Sequence, residues 1–175
     1  MQQNPIKRKP QNVSLNMKNQ LRGIGLIIIP LVGALDQLSK QAIINNLTAP
    51  VAVTSFFDLL LTHNRGISFG LFPADSIPGK VVLLLFACAL VLWLLVCLWR
   101  SPSKLESICY GLIIGGAVGN IIDRIYYGAV IDFLHFHFHN HSFPVFNIAD
   151  SAITIGVSLI LLQQAWHFVK NKKVT

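Results

Sequence analysis

Residues 81–99, VVLLLFACALVLWLLVCLW, carry no charged side chain, and residues 151–169, SAITIGVSLILLQQAWHFV, match them in length and lack of charge. Nineteen helical residues at about 1.5 Å each cross a hydrocarbon core about 30 Å thick. Two further apolar stretches are less pure. Residues 21 to about 44 are interrupted by Asp36 and Lys40, and residues 105 to about 122 contain only Glu106, near their start. The pattern predicts four transmembrane helices. Between the first two, VAVTSFFDLLLTHNRGISFGLF at 51–72 gathers β-branched and aromatic residues ahead of Asn64 and Gly66. This is the signature of a short sheet or hairpin lying on the membrane surface. Pro73, Pro78 and Gly79 then punctuate the approach to the second span, and Pro30 falls inside the first, where a membrane helix tolerates it or kinks.

The fold class expected is therefore an all-α integral membrane protein of four transmembrane helices with a small extracytoplasmic β segment. One four-helix domain would occupy residues 21–170, between a mobile tail at 1–20 and a basic tail at 171–175. Composition agrees: 53% of residues are hydrophobic and 12% charged, where a soluble domain has about a quarter charged. The net charge of +7 does not point to nucleic acid, because the basic residues flank spans, where anionic lipid headgroups account for them. Lys7, Arg8, Lys9, Lys18 and Arg22 precede the first span, Arg100 and Lys104 lie in the second turn, and Lys170, Lys172 and Lys173 follow the last. Basic residues next to spans stay in the cytoplasm. Both termini are thus expected there, with segments 45–78 and 125–147 outside. Reading the first span as a cleaved signal peptide would leave three spans with basic ends on opposite sides. Cys88, Cys97 and Cys109 lie within spans and have no metal-ligand or redox spacing.

Ionisable groups in or beside spans are costly and need a partner or a task. Given this orientation, Asp36, Lys40, Asp123, Arg124, Asp132 and Asp150 all converge on the outer boundary. Asp36 and Lys40 are four residues apart, which favours pairing on one helix face. Asn120 and Arg124 share a face with Asp123 beside them, and the expectation is a hydrogen-bonded clamp between helices. Asp132 and Asp150 have no basic partner at helical spacing. Two carboxylates brought together at a low-dielectric boundary do not both ionise cheaply, which suits one as general base and the other as general acid. Taken singly, Asp132 reads equally as a solvated loop acid and Asp150 as the cap of the fourth helix. Gly111, Gly115 and Gly119 recur every fourth residue, a face for close helix packing that is also compatible with shaping a substrate groove.

DQLSK at 36–40, NRGISFG at 64–70, GGAVGNIIDRIYYGAVIDF at 115–133 and FNIAD at 146–150 together resemble lipoprotein signal peptidase, also called signal peptidase II, over residues 21 to 170. The resemblance implies an aspartic endopeptidase of the bacterial cytoplasmic membrane. Such an enzyme removes the signal peptide from diacylglyceryl-modified prolipoproteins, just before the lipid-bearing cysteine. It implies Asp132 and Asp150 as the catalytic pair, activating a water between them. Asp36, Lys40, Asn64, Gly66, Gly115, Asn120, Asp123, Arg124, Asn147 and Ala149 take supporting or substrate-binding roles. No metal or cofactor is implied; the partners are prolipoproteins and membrane lipids, and a monomer is expected.

The chain departs from the common pattern of this family twice. Arg65 stands in NRGISFG, where many members read closer to NTGAAFG, and either meets a lipid phosphate or substrate group or is a solvated surface charge. The run HFHFHNH at 135–141 alternates four histidines, which in a strand would face one side and suit zinc or copper. The simpler expectation is an interfacial loop whose Phe133, Phe136, Phe138 and Phe143 dip into lipid while the histidines face water. Two functions of other classes compete: a metal or proton transporter, and a membrane protein that binds lipoproteins without cutting them. A transporter needs its acids along a path across the membrane, whereas these gather at one face.

Overall fold

A computed structural model describes residues 11–66 and 76–172. Residues 1–10 of the expected tail, 67–70 of the NRGISFG motif, Pro73 and the last three residues lie outside the described residues. Four helices, α1 (Gln11–Asn46), α2 (Ile77–Arg100), α3 (Lys104–Tyr126) and α4 (Ile148–Lys172), are each long and apolar enough to cross a membrane. Residues 11–20, read from composition as tail, continue α1 as helix, and Pro30 lies inside it. The tail's Gln, Asn and Lys residues have no apolar stripe, but they extend a helix whose nucleation cost the span already meets.

Half of the apolar stretch of α3 is buried, against 11% in α2 and in α4, which makes α3 the central helix. The sequence explains the difference, since small residues let neighbouring backbones close on α3. At Gly119 an added Cβ would collide with the Asp36 carboxylate of α1, and at Gly116 with the Ala149 carbonyl of α4. Gly111 and Gly115 likewise meet α1, at the Gly25 and Ile29 carbonyls. The glycine face is thus filled by the first helix and forms no groove. Leu94 and Leu98 of α2 and Ile113 and Ile114 of α3 form the apolar core, while Leu85, Phe86, Leu161 and Leu162 point outward, as lipid-facing residues do.

At one end of the bundle, the Arg22 guanidinium lies 4.4 Å from the Trp99 ring centre and donates to the Trp99 carbonyl at 3.0 Å. At the other end lies a four-stranded antiparallel sheet in the order β1 (Val51–Thr54), β2 (Phe57–Asn64), β3 (Val130–Phe138), β4 (His141–Ser142). The first two strands form the hairpin expected from 51–72. The third strand corrects the expectation of a loop. Residues 130–133 are buried in this inner strand of the sheet, so Phe133 is a core residue at 4% exposure rather than a lipid-dipping one. Phe133 and Phe136 are three apart, and period-two alternation sends them to opposite faces. Phe138 and Phe143 are exposed, as expected. His135 and His137 lie on β3 within 3.4 and 3.1 Å of Asp58 Oδ2. His139, by contrast, takes φ 52° in the turn, so the four histidines do not share one face. Among the described residues no group of three or more His, Cys, Asp or Glu side chains could hold a metal ion.

Candidate active site

The buried polar residues meet where α1, α3, β3 and the start of α4 converge. Lys40, 1% exposed, lies 2.7 Å from Asp36 Oδ2 one turn back and 2.7 Å from Asp123 Oδ2 on α3, and also donates to Asn120 Oδ1 at 3.2 Å. Asp36 and Asp123 are both fully buried, and each also anchors a backbone N–H. Asp36 Oδ1 accepts from Ala149 at 2.9 Å and Asp123 Oδ2 from Ile131 at 3.1 Å. The Ala149 N–H is one of the donors that a helix start leaves unpaired, so the first helix completes the fourth. Buried charges stay tolerable only when paired and hydrogen-bonded, and here each anion has both kinds of partner.

Sequence reasoning missed Gln37. Its amide donates to Asp123 Oδ1 at 2.8 Å and to the Gly119 carbonyl at 3.2 Å, so it shares the work of joining α1 to α3. Its place between Asp36 and Lys40 was the available signal. The expected clamp of Asn120, Asp123 and Arg124 is corrected in one member. Arg124 donates to the Asn120 carbonyl of its own helix at 3.1 Å, while Asp123 and Asn120 make the bonds between elements.

Asp132 on β3 and Asp150 in the first turn of α4 are joined through two amides. Asn147 Oδ1 accepts the Asp150 backbone N–H at 2.8 Å, making Asn147 the cap of α4 in place of Asp150. With its oxygen committed to that N–H, the Asn147 nitrogen faces Asp132 Oδ1 at 2.7 Å. Asn120 is oriented in the same way. Its oxygen takes the Lys40 ammonium and the Asn147 amide, so its nitrogen donates to Asp150 Oδ1 at 2.8 Å. Each carboxyl thus receives an amide N–H whose direction is set by a donor behind it.

The second Asp132 oxygen accepts from Asn64 Nδ2 at 3.1 Å, and Asn64 Oδ1 in turn accepts the Gly66 N–H at 3.2 Å. Sheet register makes this possible, since Asn64 pairs with Val130 and Thr62 with Asp132 across β2 and β3. Burial, opposed by the Asn64 amide and reinforced by the charge of Asp150, pushes the Asp132 carboxyl from an ordinary 3.8 up to about 6. Asp150 is partly exposed. A cavity of about 310 Å³ opens beside Asn64 and Arg124, and another of about 360 Å³ beside Asp150, Thr154 and Ile155.

A sequence model of the family described as Signal peptidase (SPase) II matches residues 28–166. The chain belongs to the signal peptidase II family. It is 46% identical over 139 residues to the lipoprotein signal peptidase of Rickettsia akari (strain Hartford), covering 77% of this chain and 70% of that one. It is 43% identical over 132 residues to that of Beijerinckia indica subsp. indica, covering 73% and 79%. A solved bacterial membrane enzyme, determined by the in meso method at 1.9 Å, superposes with a TM-score of 0.71 at 28% identity, over 81% of this chain and 92% of that one. As a signal peptidase II, the chain is an aspartic peptidase and a multi-pass bacterial membrane protein. Membership accounts for the four spans and the small sheet together.

Proposed function

We propose that this signal peptidase II cleaves diacylglyceryl-modified prolipoproteins immediately before the lipid-bearing cysteine, using a water held between Asp132 and Asp150. The observation that carries the reading is the pair of oriented amides, which hold two carboxyls of unlike surroundings beside two cavities. Asp132, more deeply buried and with its pKa raised to about 6, holds the proton that the pair shares and donates it to the scissile carbonyl oxygen. Asp150 takes a proton from the water as its oxygen bonds to the carbonyl carbon. The resulting gem-diol collapses when Asp150 passes that proton to the leaving nitrogen and a hydroxyl proton returns to Asp132. No covalent enzyme adduct forms.

Asn64 and Asn147 fix the Asp132 carboxyl, Asn120 fixes Asp150, and Gly66 fixes Asn64. Arg124, at the cavity wall, holds the extended substrate backbone. Asp36, Lys40 and Asp123 are structural, as are Gly115 and Ala149 at the helix contacts. Both termini lie in the cytoplasm and the sheet end faces outward, where a translocated prolipoprotein meets it. The enzyme works as a monomer, the whole constellation coming from one chain.

The test is cleavage of a diacylglyceryl-modified prolipoprotein by purified wild type, Asp132→Asn, Asp150→Asn and Asp123→Asn, each with and without chelator and with thermal unfolding followed in parallel. Turnover is expected to fall at least about 10³-fold in the first two, beyond the loss of a single ordinary hydrogen bond, with folding retained. Asp123→Asn is expected to lose stability first. Turnover persisting in both dyad variants, or stopped by chelator alone, would overturn the dyad.

A further inference from the structure

Away from the candidate active site, the sheet gathers three titratable side chains, all partly buried. Asp58 on β2 stands opposite His135 on β3, and its Oδ2 lies 3.4 Å from His135 Nδ1 and 3.1 Å from His137 Nε2. The two imidazoles stack with ring centres 5.4 Å apart, so one carboxylate serves both. From β1, Ala52 pairs with Asp58 and brings no charge. From β4, Ser142 pairs with His137 and His141 with Phe138, while His139 packs on Phe138 in the turn. His63 pairs with Ile131, which is also where the α3 carboxylate of Asp123 reaches β3. That position is four residues from His135, about 14 Å along the strand. Asp132, three residues from His135, falls on the other face of β3.

These contacts suit a protonated ring better than a neutral one. His137 Nε2 is buried and makes no hydrogen bond among the described residues, although Asp58 Oδ2 is 3.1 Å away. A bare nitrogen lone pair facing a carboxylate at that distance is repelled, and a proton on the ring reverses the sign. His135 is prepared on both sides. Its Nε2 lies 2.7 Å from Ser142 Oγ, whose hydroxyl donates to the Phe143 carbonyl at 3.4 Å and so keeps its oxygen as an acceptor, while Nδ1 faces Asp58. Only an imidazolium donates from both nitrogens. Two adjacent imidazoliums repel each other, so a single carboxylate favours the first proton and leaves the second opposed.

We propose that Asp58, His135 and His137 form an acid-closed clasp, in which uptake of one proton by the histidine pair ties the outer end of β2 to β3. The β2–β3 ladder is irregular between Leu59 and Thr62, and a bulge weakens pairing locally. The clasp fastens one side of that bulge, and on the other side the same two strands hold Asn64 against Asp132. Loss of the proton leaves the backbone bonds and the Phe57–Phe136 ring contact at 4.8 Å to retain the outer end of β2. The three residues belong to none of the quoted family motifs and line neither active-site cavity, and the clasp stands whether or not the dyad assignment does. With the sheet end outward, as proposed, it senses acidity outside the cytoplasm.

The experiment follows hydrogen–deuterium exchange of peptides covering residues 57–64 in the detergent-purified full chain, with chelator present so that no metal bridges the histidines. Exchange is compared between about pH 8 and 5.5, the range in which histidine ordinarily changes charge, after correction for the intrinsic pH dependence of exchange. Wild type is expected to gain about fivefold protection on acidification, the scale of a partly exposed ion pair. Asp58→Asn and the double variant His135→Gln/His137→Gln are expected to lose that gain while matching wild type at pH 8, and His141→Gln to keep it. A wild type without the gain, a gain kept by either clasp variant, or protection lowered equally at both pH values in those variants would each overturn the proposal. Histidine 15N shifts of wild type give a check that needs no clasp variant to fold. The imidazolium signal of His135 or His137 is expected to appear together with the gain in protection, and its appearance without that gain would equally overturn the clasp. None of the readouts depends on turnover.

Discussion

Asn120 and Asn147 work as directional connectors. An amide has an acceptor at one end and donors at the other, so fixing the oxygen of each against a donor aims its nitrogen at a carboxyl. Lys40 therefore acts on Asp150 through Asn120, and the α4 backbone acts on Asp132 through Asn147. For Asp132 the sign of the pH effect follows from its raised pKa. Between about pH 4 and 6 the folded chain holds a proton that the unfolded chain has released, so stability falls as pH rises through that window. The total is on the order of 3 kcal/mol for a shift of about two units. Thermal unfolding in detergent across pH 3.5 to 7.5 is expected to show this slope in wild type and lose it in Asp132→Asn. A slope preserved in the variant would place the proton elsewhere. The sequence disclosed the six charged positions, and it disclosed the Asp36–Lys40 pair through helical spacing. It did not disclose Gln37, because a glutamine beside a charged pair looks the same whether it faces lipid or another helix.

Among the elements, α2 and α4 were legible from uncharged length alone, since the bilayer sets that length, and α1 and α3 from apolar stretches of similar length that carry few charges. The buried strand β3 was not. Its exposed half alternates His and Phe, which suggested a surface loop, while its first four residues are buried against both the sheet and α3 and carry no alternation to read. Close packing of α3 on α1 was legible as a glycine repeat, though which helix fills that face was not. Gly119 is where this packing meets the chemistry, because its missing side chain makes room for the Asp36 carboxylate. Gly119→Ala is expected to cost about 1–3 kcal/mol through overpacking and to lower turnover more than Gly23→Ala, where a Cβ meets nothing within 4 Å. Matched unfolding and cleavage assays on the two variants check this.

At the scale of the molecule, the basic flanks lie at the end of the bundle opposite Asp36, Asp123, Asp132 and Asp150. Arg22, Arg100 and Lys104 lie at the end where α1 meets Trp99, and the sheet lies at the other. If the sheet end faces outward as proposed, a cysteine replacing Ser142 in a background free of Cys88, Cys97 and Cys109 is expected to react with a membrane-impermeant maleimide in spheroplasts. One replacing Lys104 is expected to react only after lysis, and the reverse pattern would invert the topology.

The bond from Ala149 to Asp36 spans 113 residues of sequence, and it also sets an order in time. Ribosomes deliver α1 first and α4 last, so Asp150 reaches its place only after every other span has been made. If Asp132 and Asp150 act as the proposed pair, a nascent or truncated chain lacking α4 carries Asp132 without its partner and is expected not to hydrolyse peptides while it is still being inserted. On that proposal, proteolytic competence waits for the fourth span.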